Sequence, residues 1–284
     1  WGAICFASPL RFEKDVADKF VRRVRSGVPT GLAGMQLAGA TTPVTVAGFV
    51  AVAGAEFIAT WIAARALNPD VPLTGFLYGG TLDMKTGAVS YSSADAMLRA
   101  FACSEFLRRW CGQNVTVGGG EYCDAKRPGL YAALEKAYKA MTIAAFTGHH
   151  PSVGEGMLDE GKVISPVQLL LEREIGLSVG FLGRRVDVNP ETIAIDTILD
   201  VGVGLEKSYL ETEHTLRHYR ESLWIPDLLD RSGWNGADNE AKLLERMRRK
   251  VGDLLSTYQK PSVDPDKLAA MREVVDIARR ELLS

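Results

Sequence analysis

Short apolar segments alternate with helical segments five times along the first 182 residues, and this alternation constrains the fold more than any other feature. Repeated strand–helix units place parallel strands side by side and join them by crossover helices. The pattern therefore predicts an α/β fold whose short strands are buried on both faces. The predicted strands are residues 3–8, 29–35, 72–78, 114–120 and 149–156, and the helices that follow them are residues 13–26, 43–67, 93–112, 128–148 and 165–182.

Glycines crowd the ends of the predicted strands and favour one closure of the sheet. In a barrel those ends meet at one mouth, whereas an open doubly wound sheet is the alternative. We therefore predict a (β/α)8 TIM-type barrel that lacks its N-terminal units in this chain, which begins at Trp1. The glycines are Gly34, Gly39, Gly79, Gly80, Gly118, Gly119, Gly120, Gly154 and Gly156.

Helical patterns alone follow the last predicted strand–helix unit. Asn189 and Pro190 are a good N-cap and first residue for a helix over residues 189–202. Further helices are predicted over residues 213–224, 237–259 and 264–283. We predict a barrel portion over residues 1–186 and a C-terminal helical extension, residues 187–284, packed on the barrel.

Composition excludes several classes of partner. The chain has 284 residues and a formal net charge of −2 with no lysine or arginine run, so no nucleic acid is expected.

Its four cysteines lack paired spacing, which indicates reduced thiols in a cytoplasmic protein. Residues 43–67 are long enough to cross a membrane, but Glu56 lies near their centre. A charge there is costly, so a helix buried on a sheet is predicted instead of a membrane span.

The loop before this apolar helix carries a candidate anion-binding site. Thr41 or Thr42 is a predicted N-cap, and Pro43 suits the first helical turn. Gly39 and Ala40 allow close approach of another molecule. Free N–H groups at a helix N-terminus attract a carboxylate, a phosphate or a cofactor edge. The alternative is a well-capped helix without a ligand.

Four blocks, in order, carry a resemblance to a known family: LAGATTPVTVAG, LYGGTLDMKTGAVSYSSADA, GEGMLDEGKVISPVQLLLEREI and ETEHTLRHYRESLW. The chain resembles the C-terminal part of the trimethylamine methyltransferase family. That resemblance implies a barrel methyltransferase that moves a methyl group from a quaternary or tertiary amine to the cobalt of a corrinoid on a partner protein. Residues 121–129, where the pyrrolysine of the family is expected, are all standard. The resemblance thus favours the non-pyrrolysine branch, a glycine betaine methyltransferase-like enzyme, with no metal bound by this chain and a possible homo-oligomer.

A methylated ammonium is best bound by aromatic faces and carboxylates, and such residues follow the predicted strands. Each of them has an alternative role as a loop-stabilising hydrogen-bond partner. We predict Glu121, Asp124 and His149 as catalytic, and Gly39, Ala40, Thr41 and Thr42 as the loop that faces the corrinoid. The predicted substrate-binding residues are Phe76, Tyr78, Asp83, Tyr122, Lys126, His150, Glu155, Asp159 and Glu160, with Lys126 placed to bind a substrate carboxylate.

Other chemistries have weaker support in the sequence. Cys123, His149 and His150 could bind zinc, and His214 and His218 have a helical spacing that suits two metal ligands. Residues 115–124 superficially resemble an S-adenosylmethionine glycine motif, but the spacing fails at its last position. No lysine lies on a predicted strand, which disfavours Schiff-base chemistry. A truncated or non-catalytic betaine-binding barrel protein stays open as an alternative.

Overall fold

A computed structural model describes residues 4–113, 115–118, 121–147, 154–203, 206–231, 233 and 239–283. Its central feature is a parallel sheet of β1 (Thr30–Gly34), β3 (Leu73–Leu77) and β6 (Thr116–Val117), in that order. Ile4 adds an isolated parallel bridge to Leu32 on β1. Neighbours in the sheet therefore follow chain order, as strand–helix repeats predict.

Three helices cover one face of this sheet: α1 (Lys14–Arg25), α2 (Val46–Leu67) and α3 (Ala94–Cys111). Their apolar sides form the main core with the buried strand residues, which include Leu32, Leu77 and Val117. The opposite face of β3 is only partly buried, because Phe76 and Tyr78 alternate with the buried Gly75 and Leu77. The prediction that the strands are buried on both faces is thus wrong for the described residues.

The charge in the middle of the apolar helix α2 has a structural role. Glu56 accepts hydrogen bonds from the Ser8 hydroxyl (2.7 Å), the Leu10 amide (2.8 Å) and the Gln36 side chain (2.5 Å). In the described part of the chain, α2 is the one helix long and apolar enough to span a bilayer. It buries Phe49, Ala53, Phe57 and Trp61 among other residues, as the core helix of an α/β unit does.

The start of α2 differs from the prediction. Thr45 is the N-cap, and its side chain accepts a hydrogen bond from the Gly48 amide. Thr42 instead forms a β-bridge with Ala38, and Pro43 precedes the helix. The predicted cap at Thr41 or Thr42 is wrong because both residues close a tight turn on Leu37.

Two small sheets lie outside the predicted repeats. β2 (Leu37–Ala38) pairs in parallel with β4 (Gly80–Leu82), which pairs antiparallel with β5 (Val89–Ser90). β7 (Met157–Leu158) and β8 (Val163–Ile164) form an antiparallel hairpin. The predicted fifth strand, residues 149–156, lies largely outside the described residues. The protein is thus mixed α/β and mostly helical, and no closed barrel is present among the described residues.

The remaining helices are α4 (Leu130–Thr147), α5 (Pro166–Leu182), α6 (Pro190–Ile193), α7 (Ile195–Val201), α8 (Glu213–Ser222), α9 (Asn239–Ser256) and α10 (Pro265–Leu282), with a short 3-10 turn at Tyr209–Glu211. Asn189 caps α6 as predicted, through a capping box with Thr192. The single helix predicted over residues 189–202 is interrupted at Ala194, which has a φ of 54°.

The chain divides into two compact units, Trp1–Met247 and Arg248–Ser284. In the first, Leu243 and Met247 of α9 pack with Ala133 and Leu171, so part of the predicted extension does contact the preceding part. In the second, none of the described residues of α10 is buried. The domain boundary at 186/187 stays a prediction, because packing alone does not reveal which part folds independently.

Candidate functional site

Four aromatic rings meet beyond the carboxyl end of β3. Tyr78 stands edge-on to Phe76, with ring centroids 5.6 Å apart, and edge-on to Tyr122 at 5.5 Å. Tyr91, just after β5, adds a tilted ring 5.4 Å from Tyr122. All four residues are half-buried. We call Phe76, Tyr78, Tyr91 and Tyr122 the aromatic cluster.

Local backbone geometry explains how these rings reach one place. Phe76 and Tyr78 are two residues apart, so a strand directs both side chains to the same face. Glycines leave room for the rings, since a Cβ on Gly118 would overlap the ring of Tyr78. A Cβ on Gly161 would lie 2.8 Å from the ring of Tyr122, and its φ of 85° also favours glycine. Gly118 therefore makes room for the ring of Tyr78.

Carboxylates surround the aromatic cluster and perturb the tyrosines. Burial, followed by the negative charge of Glu121, raises the pKa of Tyr78 above its ordinary value. Burial, Glu121, Glu160 and Glu155 raise the pKa of Tyr122 in that order. One carboxylate oxygen of Glu121 is buried without a hydrogen-bond partner among the described residues. Negative charge thus converges on the rings, which suits a cationic ligand.

Glu160 is the most constrained of these carboxylates. It accepts hydrogen bonds from the Tyr91 amide (2.9 Å) and the Ser92 hydroxyl (2.6 Å). Its φ of 52° is left-handed, an arrangement that ordinarily costs about 1–2 kcal/mol in a non-glycine residue. Burial raises the pKa of Glu160 to about 7, although both hydrogen bonds oppose that shift and the charge of Asp124 adds to it. At neutral pH the carboxyl of Glu160 is therefore close to its pKa.

Replacing Glu160 with glutamine should change how stability depends on pH. Because the folded pKa is raised, the folded wild type holds more protons than the unfolded chain between about pH 4.5 and 7, so its stability falls as pH rises through that window. Glu160→Gln removes this contribution, and its stability relative to wild type should increase from pH 4.5 to pH 8. Urea unfolding at both pH values measures the difference. An unchanged wild-type-to-variant difference at the two pH values would contradict the assignment.

Two buried lysines on α4 were missed by the sequence reasoning. The Lys139 ammonium lies 5.7 Å from the centroid of Tyr122 and donates a hydrogen bond to the Tyr91 carbonyl at 2.9 Å. Lys136 forms a fully buried ion pair with Glu172. A signal was present in the sequence, since both lysines fall three apart among the apolar residues of that helix.

Several predicted site residues lie apart from the aromatic cluster. Asp83 is exposed and accepts hydrogen bonds from Lys85 and Thr86 in its own turn, which lowers its pKa. Lys126, whose side chain is 65% exposed, pairs with Asp159 at 2.5 Å. Asp83 and Lys126 are thus surface charges, and their hydrogen bonds or ion pairs with neighbouring residues account for their positions.

The other predicted residues have mixed placements. Asp124 accepts a hydrogen bond from Ser90 at 3.0 Å, beside Glu160. Glu155 is exposed but close enough to raise the pKa of Tyr78 and Tyr122. His149 and His150 lie outside the described residues. The structure thus brings Phe76, Tyr78, Tyr122, Glu121, Glu155, Glu160 and Asp124 to one region and adds Tyr91, Ser92 and Lys139, while the roles of the predicted residues stay predictions.

The backbone amides of the loop predicted to face the corrinoid form hydrogen bonds within that loop. The amides of Ala40, Thr41 and Thr42 all point to the carbonyl of Leu37, at 3.2, 2.8 and 3.0 Å. The Gly39 amide donates a hydrogen bond to the Thr42 carbonyl. These four groups are therefore already satisfied, so the loop's predicted role cannot depend on anion binding by these amides.

No group of metal-binding side chains occurs in the described ranges. The Cys123 thiol points to the Met157 carbonyl at 3.5 Å. The rings of His214 and His218 lie 4.7 Å apart, and His218 interacts with Glu221 at 2.8 Å. A zinc site that includes His149 and His150 falls outside the described residues.

Comparison with known proteins gives one consistent result. The family model described as trimethylamine methyltransferase (MTTB) matches residues 1–282. The chain is 30% identical to trimethylamine methyltransferase MttB2 of Methanosarcina mazei over 280 residues, which cover 98% of this chain and 55% of that protein. It is 25% identical to the glycine betaine methyltransferase of Desulfitobacterium hafniense over 263 residues, 91% of this chain and 53% of that protein. The chain spans about half the length of these curated relatives, and it belongs to the trimethylamine methyltransferase family.

Proposed function

We propose that this chain forms the amine-binding part of a methyltransferase that transfers a methyl group from a quaternary or tertiary amine, of the glycine betaine kind, to the corrinoid of a partner protein. The observation that carries the proposal is the convergence of the aromatic cluster with Glu121 and Glu160. A quaternary ammonium such as that of glycine betaine has no N–H to donate, so rings and carboxylates are its natural partners. Each ring contact contributes about 0.5–2 kcal/mol.

The transfer requires little acid–base catalysis from this chain. When a methyl group leaves a quaternary nitrogen, the C–N bonding electrons stay on nitrogen and the amine departs neutral, so no acid is needed. The reduced corrinoid, as methyl acceptor, supplies the nucleophile. The residues of the aromatic cluster bind the ammonium, orient one methyl outward and exclude water. Because positive charge leaves the amine in the transition state, moderate attraction favours turnover over tight binding.

The finer fold assignment belongs to the same proposal. The parallel sheet pairs β1, β3 and β6 in chain order, and one face of β3 is half-exposed. An arc of a (β/α)8 barrel has both of these features. The family relatives are about twice as long as this chain. We propose that further strands complete the barrel over the aromatic cluster, in an enzyme that works in the cytoplasm.

A binding experiment tests the proposal. Glycine betaine and choline share a trimethylammonium group and should both bind the protein in calorimetric titrations. Tyr122→Leu should weaken both about 10-fold or more, because it removes the central ring of the aromatic cluster. Glu121→Gln should weaken both in the same direction. Leu98→Gln, an exposed position on α3, is the matched control.

Transfer itself is measured separately. With an added corrinoid protein reduced to cobalt(I), betaine should be demethylated, as detected by the corrinoid absorption change. Binding without transfer would favour the alternative of a non-catalytic betaine-binding protein. If neither glycine betaine nor choline binds wild type, the proposed amine site is wrong.

A further inference from the structure

The Lys139 ammonium lies beside the aromatic cluster, 5.7 Å from the ring centroid of Tyr122. Its side chain comes from α4, and the residue is only 2% exposed. Of its three N–H donors, one bonds to the Tyr91 carbonyl. No carboxylate of the described residues lies within 4.0 Å of it, although the charges of Glu121 and Glu160 are near enough to oppose the lowering of its pKa by burial.

Other lysines near the aromatic cluster have charged partners that Lys139 lacks among the described residues. Lys136, one turn away on α4, bonds to both Glu172 and the Met157 carbonyl. Lys126 and Lys162 are exposed and both pair with Asp159. Two of the three N–H donors of Lys139 have no partner in the described part of the chain, which is costly for a buried ammonium because buried polar groups are normally paired.

An ammonium beside a cation-binding cluster also has an electrostatic consequence. Lys139 repels a simple ammonium bound to the same rings, and it attracts a negative group. Charges that are partly removed from water interact more strongly than charges in bulk solvent. Lys139 therefore favours a zwitterion over a cation of the same shape.

We propose that Lys139 binds the anionic end of the substrate, so that the site selects a zwitterionic methylammonium, a carboxylated one, over a simple methylated cation. The proposal rests on the function proposed above and gives Lys139 the part that the sequence suggested for Lys126. A carboxylate held at Lys139 lies at the buried end of the cluster. The methylated nitrogen then lies toward the half-buried rings, which orients a methyl group away from Lys139.

The test compares glycine betaine with choline, which has a hydroxymethyl group in place of the carboxylate. Wild type should bind glycine betaine at least about tenfold more tightly than choline. Lys139→Gln should abolish that preference by weakening betaine at least tenfold while choline binds equally well or better. Lys139→Arg should keep a measurable preference. Lys85→Gln, which removes an exposed charge from the β4–β5 turn, should leave the ratio unchanged.

Each outcome decides between the two proposals. Equal binding of both ligands by wild type overturns the role of Lys139 and leaves the proposed amine site standing. An unchanged preference for betaine in a Lys139→Gln variant with a wild-type circular dichroism spectrum has the same two consequences. Loss of the preference in Lys126→Gln instead of Lys139→Gln returns the role to Lys126. Absence of any binding overturns both proposals. Should Lys139→Gln fail to fold, the wild-type ratio and Lys139→Arg still decide.

Discussion

Replacing Lys136 with methionine is expected to lower the free energy of unfolding by about 3–5 kcal/mol, since it strips a buried carboxylate of its counter-ion. The side chains of Lys136 and Glu172 are fully buried. Lys136 also donates to the Met157 carbonyl at 2.5 Å, and Glu172 accepts from the Gly156 amide at 2.7 Å. The pair thereby fixes the segment that leads into β7. Equilibrium unfolding in urea measures the loss.

A double variant separates the ion pair from the space it fills. Lys136→Met combined with Glu172→Gln removes both charges and keeps an acceptor for the Gly156 amide. Most of the lost stability should return, because neutral pairs in such sites are often as stable as the original ions. A double variant as unstable as Lys136→Met would show that packing around Lys136, and not the unpaired charge, causes the loss.

Replacing Gly118 with alanine should remove most binding of methylated cations while costing only about 1–3 kcal/mol of stability. The new Cβ would overlap the Tyr78 ring, which stands edge-on to both Phe76 and Tyr122. The ring must therefore turn away, and the aromatic cluster loses its central contact. Betaine affinity should fall about tenfold or more, as two ring contacts are disturbed.

Two comparisons make this prediction specific. Gly180→Ala places a methyl group in open space on α5 and should leave binding unchanged. In a Tyr78→Ala background the overlap is gone, so Gly118→Ala should cost less stability there than in wild type, whereas betaine binding should stay weak. Wild-type betaine affinity in Gly118→Ala would mean that Tyr78 does not contact the ligand.

The helices were predicted more accurately than the strands. α3 was predicted over residues 93–112 and spans Ala94–Cys111, because Ser93 caps its start and Gly112 ends it in a left-handed conformation. Such signals are local and survive in any context. β4, β5, β7 and β8 were missed, because strands of two or three residues depend on a partner strand distant in sequence. The cap at Thr45 was missed because Thr41 and Thr42 carry the same chemistry.

The site shows the same division. Phe76 and Tyr78 were predicted because they close a predicted strand, and Tyr122 and Glu121 because they follow the end of the next one. Lys139 and Tyr91 could not be placed in this way. A buried lysine contradicts the usual preference of its side chain, and only the position of α4 beside the segment after β5 shows that Lys139 meets the Tyr91 carbonyl.

By itself the sequence determined the alternation of strands and helices, the family resemblance and the residue types that suit a methylated ammonium, since periodicity, capping and composition act over a few neighbouring residues. The tertiary structure alone decided which charges are buried. Lys126 and Lys139 are the same residue type, yet one lies in solvent beside Asp159 and the other behind Tyr122. The cost of removing a charge from water depends on what surrounds it in space, and that is a property of the folded chain.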